Sequence, residues 1–240
     1  MAVVLTVVNN NAAVRNGLYS PRFTMNVKGL DTREKTLNVE SAQFELHFEN
    51  ISKTTNKLYV KEGDKEETID ILTGTYTDID DLILVINESL KRAGHEDVRF
   101  SYSRRTSRVS VSVVEGKTCT LKKDSPGSVL GIGEIATEHN INGSYTCPFA
   151  VDLSKGRRFV LLYTDLIGPS VEYEDNVDSR VLKTFLIQTL NGINNYVFSK
   201  NDKRLMLPHE NVSQMTFWLK FNTGELITPG YPITLDLRIE

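Results

Sequence analysis

The sequence predicts a mainly-β sandwich, and three observations carry that expectation. The apolar residues Met215, Phe217, Leu219 and Phe221 alternate with Gln214, Thr216, Trp218 and Lys220, the period of two that marks a half-buried strand. The same alternation returns in Ile233, Leu235, Leu237 and Ile239, after the turn chemistry of Asn222-Thr223-Gly224-Glu225, so these two strands read as a closing pair around which the sheet is built. Finally, turn signals recur at short spacing and divide the chain into about twelve candidate strands, while only one segment has a helical period.

In chain order, Val3 to Val8 reads as a first strand, and Phe23, Met25 and Val27 mark a second before Gly29. Thr36 to Ile51 contains Phe44, Leu46 and Phe48 in strict alternation with Gln43, Glu45, His47 and Glu49. Leu58–Val60 and Thr68–Leu72 are shorter strands on either side of a charged turn. The helix is expected over about residues 78–93. Thr77 stands at its N-cap and Asp78, Asp80 and Asp81 in its first turn, with Ile79, Leu82, Ile83, Ile86 and Leu90 along one face. Lys91 and Arg92 close the last turn and Gly94 terminates it. A hairpin follows over about residues 98–114, with its turn at Arg105-Thr106-Ser107, and then a loop with a short helical piece, SPGSVLGIGE. Further strands are expected at Phe149–Leu153, Arg158–Tyr163, Thr184–Leu190, Asn195–Ser199 and Leu205–Leu207. No internal repeat or low-complexity linker divides the chain, so one domain over residues 1–240 is expected.

Composition excludes several classes. A net charge of −3 lacks the basic excess of nucleic-acid-binding domains, so no specific nucleic acid is expected. The opening MAVVLTVV has no basic leader region and is too short to span a bilayer; no membrane span is expected, and synthesis in a cytosol or nucleus follows. The two cysteines, Cys119 and Cys147, are too few for a disulfide framework and read as reduced thiols. Four N-x-S sequons, at Asn50, Asn87, Asn142 and Asn211, read as chance products of an Asn- and Ser-rich chain.

The search for chemistry comes back empty. His47, His95, His139 and His209 make no H-x-H or H-E-x-x-H pattern, and there is no C-x-x-C, so no metal site, cofactor or catalytic residue is expected. Cys147 with His139 nearby is better read as a small residue at the start of a strand than as a nucleophile. Gly131-x-Gly133 lacks the third glycine and the βαβ setting of a dinucleotide fingerprint. The acidic run with Glu172, Glu174, Asp175 and Asp178 lacks the spacing and central glycine of an EF-hand and reads as a solvated loop. Arg104, Arg105 and Arg108 form the basic cluster at the hairpin tip; it serves either as an exposed turn that discourages edge aggregation or as a contact to phosphate or a carboxylate-rich neighbour.

The order of these features resembles a known group. LNVESAQFELHFENI leads to ILTGTYTDIDDLILVINESLK, where a G-x-Y turn enters an amphipathic helix; FSYSRRTSRVSVSV, the LGIG piece and the terminal VSQMTFWLKFNTGELI…ITLDLRIE follow. This resembles the capsid proteins of Polinton (Maverick) elements and the related adintoviruses, with departures at Val129-Leu130-Gly131-Ile132 and at Phe221-Asn222-Thr223-Gly224. The resemblance implies a jelly-roll β-sandwich with one amphipathic helix and a hairpin insertion. At this length it implies the single jelly-roll, penton-like minor capsid protein: a homopentamer at the vertices of an icosahedral shell, in contact with a major capsid protein, located in the virion. A trimeric major-capsid-like or spike subunit is the alternative within that class. A calcium- or carbohydrate-binding jelly-roll module is the alternative outside it. A closed ring needs a heterologous interface, and Trp218, Tyr231 and Tyr173, with the three arginines, are its expected anchors. Trp218 is named because it lies in the polar register of its strand; burial of both faces of that strand inside the subunit is the competing reading.

Overall fold

The computed structural model describes residues 3–8, 22–30, 35–133, 138–166, 181–198, 205–207, 212–227 and 233–240. It divides into two compact units, one of residues Met1–His47 and Arg157–Glu240, the other of Phe48–Gly156 inserted between them. The helix and hairpin read as an elaboration of one domain thus belong to a larger inserted unit with its own core.

The first unit contains β1 (Val3–Val8), β2 (Arg22–Leu30) and β3 (Thr36–His47) before the insertion. After it come β11 (Phe159–Thr164), β12 (Val181–Leu186), β13 (Asn191–Val197), β14 (Leu205–Met206), β15 (Val212–Phe221) and β16 (Thr234–Ile239). Two antiparallel sheets have the orders β1-β16-β3-β13, with β14 also on β3, and β12-β11-β15-β2. Apart from the β11–β12 hairpin, each step from one of these eight main strands to the next changes sheet. That interleaving is the jelly roll. The strands alternate as the sequence predicts: Leu37, Val39, Ala42, Phe44 and Leu46 of β3 and Leu235, Leu237 and Ile239 of β16 face Val160, Leu162, Met215, Phe217 and Leu219 of the other sheet in one buried cluster.

The closing pair is a correction. β15 and β16 lie in different sheets, β15 between β11 and β2, β16 between β1 and β3. Residues 222–225 do turn the chain, with Gly224 at φ +91° and an isolated bridge from Lys220 to Leu226. Beyond that bridge the two strands separate. Alternation fixes which face of a strand is buried, not which strand lies beside it, and here the two strands bury their faces from opposite sides of one core.

The inserted unit contains β4 (Lys57–Glu62), β5 (Lys65–Asp70), α1 (Ile79–Arg92), β6 (Val98–Ser103), β7 (Arg108–Val113), β8 (Lys117–Lys122), β9 (Glu138–Ile141) and β10 (Ser144–Thr146). Its sheets have the orders β5-β4-β8-β9 and β10-β7-β6. The N-cap of α1 is Asp78 rather than Thr77: its extended backbone lets the carboxylate accept from the Asp80 N–H at 2.9 Å. The apolar face Ile79, Leu82, Ile83, Ile86 and Leu90 is buried as the spacing predicts. Asn87 fastens the helix to β6, with its amide donating to the Phe100 carbonyl and accepting from the Phe100 N–H at 2.9 and 2.8 Å. The loop expected at SPGSVLGIGE holds a 3₁₀ turn at Pro126–Ser128. Phe149–Leu153 is not a strand, because its N–H groups go to separate segments: Phe149 to Gly131, Val151 to Ser107 and Asp152 to Val129. No ladder forms from such scattered partners.

Candidate assembly surface

The β12–β13 side of the jelly roll exposes several large apolar residues. β12 borders one sheet and β13 borders the other, and the short connection between them is fastened by the fully buried Asn194. Its Oδ1 accepts from the Gln188 and Thr189 N–H groups at 2.9 and 3.1 Å, while its Nδ2 donates to the Thr189 carbonyl at 2.9 Å. One amide thereby satisfies backbone groups that the turn leaves without ladder partners. The Tyr196 hydroxyl crosses the edge to donate to the Leu186 carbonyl at 2.6 Å, and partial burial raises its pKa above the ordinary phenol value.

Inside this edge lies an aromatic cluster. Phe185 packs edge-on against Phe44 at 5.4 Å and tilted against Tyr196 at 5.0 Å, and Phe198 closes the group at 5.7 Å from Phe185. The Lys183 ammonium sits 4.0 Å from the Phe198 ring centre. Such packing holds the edge rigid. Its outward residues include large apolar ones beside Thr184, Asn191 and Asn195: Leu186 is 64% exposed, Ile193 56% and Val197 88%. Phe159 stands directly across from Leu186 in the β11–β12 register and is also exposed. Leu186 and Phe159 thus stand on the solvent face of one sheet, and Ile193 and Val197 on that of the other.

The edge does not invite sheet extension along its whole length. The Gln188 side chain donates to the Asn195 carbonyl and accepts from its N–H, at 3.0 and 3.3 Å, where a neighbouring strand would otherwise pair. Thr189 Oγ1 donates to the Asn191 carbonyl at 2.9 Å. Part of the edge backbone is thereby already satisfied within the chain.

The residues named from sequence fall in different settings. Trp218 is 8% exposed, which is the burial reading of that strand and a correction to its expected exposure. It stacks on Tyr163 at 5.5 Å and 10°, with the Arg22 guanidinium 5.4 Å from its ring. Its buried indole Nε1 has no hydrogen-bond partner among the described residues. Tyr163 and Trp218 are direct neighbours in the β11–β15 register, and the polar register of a strand does not guarantee exposure when a large ring stacks across it. Tyr231, Tyr173 and the acidic run at 172–178 lie outside the described residues. Arg104, Arg105 and Arg108 are in the inserted unit. Arg104 Nε donates to Asp80 at 3.2 Å, and Arg105 and Arg108 are exposed. Sequence reading missed Leu186, Ile193 and Val197. For Ile193 and Val197 the signal is an edge strand, NGINNYV, without charge or proline; both of its registers carry apolar residues, so alternation alone does not choose the outward face.

The thiols are poorly placed for chemistry. Cys119 and Cys147 are free and buried; burial pushes the first up to about 12 and the second to about 11, which leaves little thiolate at neutral pH. Among the described residues no group of three His, Cys, Asp or Glu is placed to hold a metal ion, and no helix is long and apolar enough to cross a membrane.

The first unit is a jelly-roll sandwich, an architecture shared by viral capsid proteins, lectins and cupins. No protein-family model and no curated protein matches the chain. Among solved structures the chain is similar to the crystal structure of selenomethionine-labelled mavirus penton protein, at a TM-score of 0.48 and 14% identity, over 100% of this chain and 99% of that one.

Proposed function

We propose that this protein is a structural capsid subunit whose jelly roll assembles through the β12–β13 edge into a vertex ring of five copies, in contact with a major capsid protein in the virion. The observation that carries the reading is the rigid edge with Leu186, Ile193 and Val197 facing outward. A closed ring joins this surface to a different surface of the next copy, and an apolar patch held rigid from inside loses little conformational freedom on contact. The sequence order of strand, G-x-Y turn, helix and hairpin supports the same class. Buried thiols with raised pKa values support a structural rather than nucleophilic role for the cysteines.

Light scattering on the purified chain tests this. Five chains of 27.1 kDa weigh about 135 kDa and three about 81 kDa. The expected result is the five-chain mass, falling to the single-chain mass in a Leu186→Asp/Val197→Asp variant that keeps its circular dichroism. A three-chain mass would make the protein a trimeric shell or spike subunit instead. A single-chain mass for the unaltered protein would remove the self-assembly reading.

A further inference from the structure

The sheet β10-β7-β6 turns one face to its core and one to solvent, and the two faces differ completely in chemistry. Val98, Phe100, Val109, Val111 and Val113 point inward and are buried. The outward positions are Arg99, Ser101 and Ser103 on β6, Arg108, Ser110 and Ser112 on β7, and Ser144 and Thr146 on β10. The register lines them up in rows: Arg99, Ser112 and Ser144; then Ser101, Ser110 and Thr146; then Ser103 and Arg108. None of these positions carries a carboxylate or an aromatic ring. Arg105 stands in the adjoining turn, and the neighbouring Arg104 is held by Asp80.

We infer that this face binds a sulfated polysaccharide. Arg99 and Arg108 lie about 13 Å apart along the strands, and each offers a planar fork of donors to a sulfate. Six hydroxyls lie between and beside them; Ser101 donates to the Ser110 carbonyl at 3.4 Å and the Ser110 and Thr146 hydroxyls share a hydrogen bond at 3.0 Å. That leaves the row able to donate and accept further, as suits a chain that carries its own hydroxyls as well as anions. A DNA strand would be served poorly: its sugar–phosphate backbone offers acceptors only, and the face has no ring on which a base could stack. Calcium is not required, because the cations are supplied by arginine. The inference rests on the inserted unit alone and is independent of the assembly reading.

The test is retention of the full chain on immobilised heparin, with elution by sodium chloride, followed by titration with soluble heparin at several salt concentrations. Arg99→Ser/Arg108→Ser is expected to weaken binding at least about tenfold and to reduce the slope of log affinity against log salt by about two, one for each arginine removed. Ser112→Glu, which keeps both arginines and places a carboxylate directly across from Arg99, is expected to lose binding as well. Lys91→Ser, on the exposed side of α1, is expected to leave it unchanged. Circular dichroism checks that each variant is folded. The inference is overturned if the unaltered chain is not retained, if folded Arg99→Ser/Arg108→Ser or Ser112→Glu binds like the parent, or if a short DNA duplex at equal charge competes as well as heparin.

Discussion

Gly131 has φ +86°, and a Cβ built on it would stand 2.3 Å from the Phe149 carbonyl oxygen and 3.0 Å from that of Ala150. The backbone passes that close because the Gly131 carbonyl accepts the Phe149 N–H at 2.9 Å. Gly131-x-Gly133 lacks the setting of a dinucleotide loop, and the structure gives the glycine a packing reason. Gly131→Ala adds both a left-handed strain and a backbone clash, so it should lower unfolding stability by roughly 2 kcal/mol or more. Denaturant unfolding checks this, and an unchanged midpoint would mean that the 149–150 segment yields freely. Trp218 carries the complementary lesson about legibility. Its register could be read from the pattern, but its burial depends on Tyr163 across the strand pair, and a sequence does not display which strand will be the neighbour.

Strands with strict alternation and large apolar residues were legible as elements: β3, β15 and β16 lie close to where the pattern puts them. β8, β9 and β10 were not, because Cys119 and Leu121 are a thin apolar signal among lysines and threonines, and β10 has three residues. What joins strands is less legible still, and Asp236 shows it. In the middle of β16 its carboxylate accepts from Thr6 Oγ1 of β1 at 2.7 Å and from Ser41 Oγ of β3 at 2.5 Å. One side chain thus ties three adjacent strands on the outward face. The Ser41 hydrogen bond, and then that of Thr6, holds this carboxyl below its ordinary 3.8. A depressed folded-state pKa contributes stability that is present above the unfolded value and lost as pH falls through the folded one. The contribution should therefore be complete above about pH 4 and disappear below it. Asp236→Asn removes that dependence. Thermal midpoints measured for both proteins from neutral pH downward should differ above about pH 4 and converge in stronger acid. Parallel curves would show that the clasp carries no linked proton.

At the scale of the whole molecule, the main departure from the sequence reading is the extent of the insertion between β3 and β11. No linker composition marks its ends, because the chain enters and leaves through ordered contacts rather than through a flexible stretch. Asn50, fully buried near the start of the unit, donates to the Tyr76 carbonyl at 2.7 Å and to the Leu153 carbonyl, near its end, at 3.0 Å, while accepting from the Tyr76 N–H at 2.9 Å. That burial also removes Asn50 from consideration as a glycan acceptor. With its two ends clasped and roughly 110 residues around their own buried cluster, Phe48–Gly156 has the size and core of a self-sufficient domain. We expect this segment, produced alone, to unfold cooperatively on heating with protected amides in α1, β4 and β8. Asn50→Ala within it should cost roughly 1–3 kcal/mol, since it leaves buried backbone groups without partners. An isolated segment that binds hydrophobic dye and melts without a transition would show that the unit needs the jelly roll to fold. A cooperative segment whose Asn50→Ala variant is equally stable would show that the core alone, and not the clasp, holds its ends together.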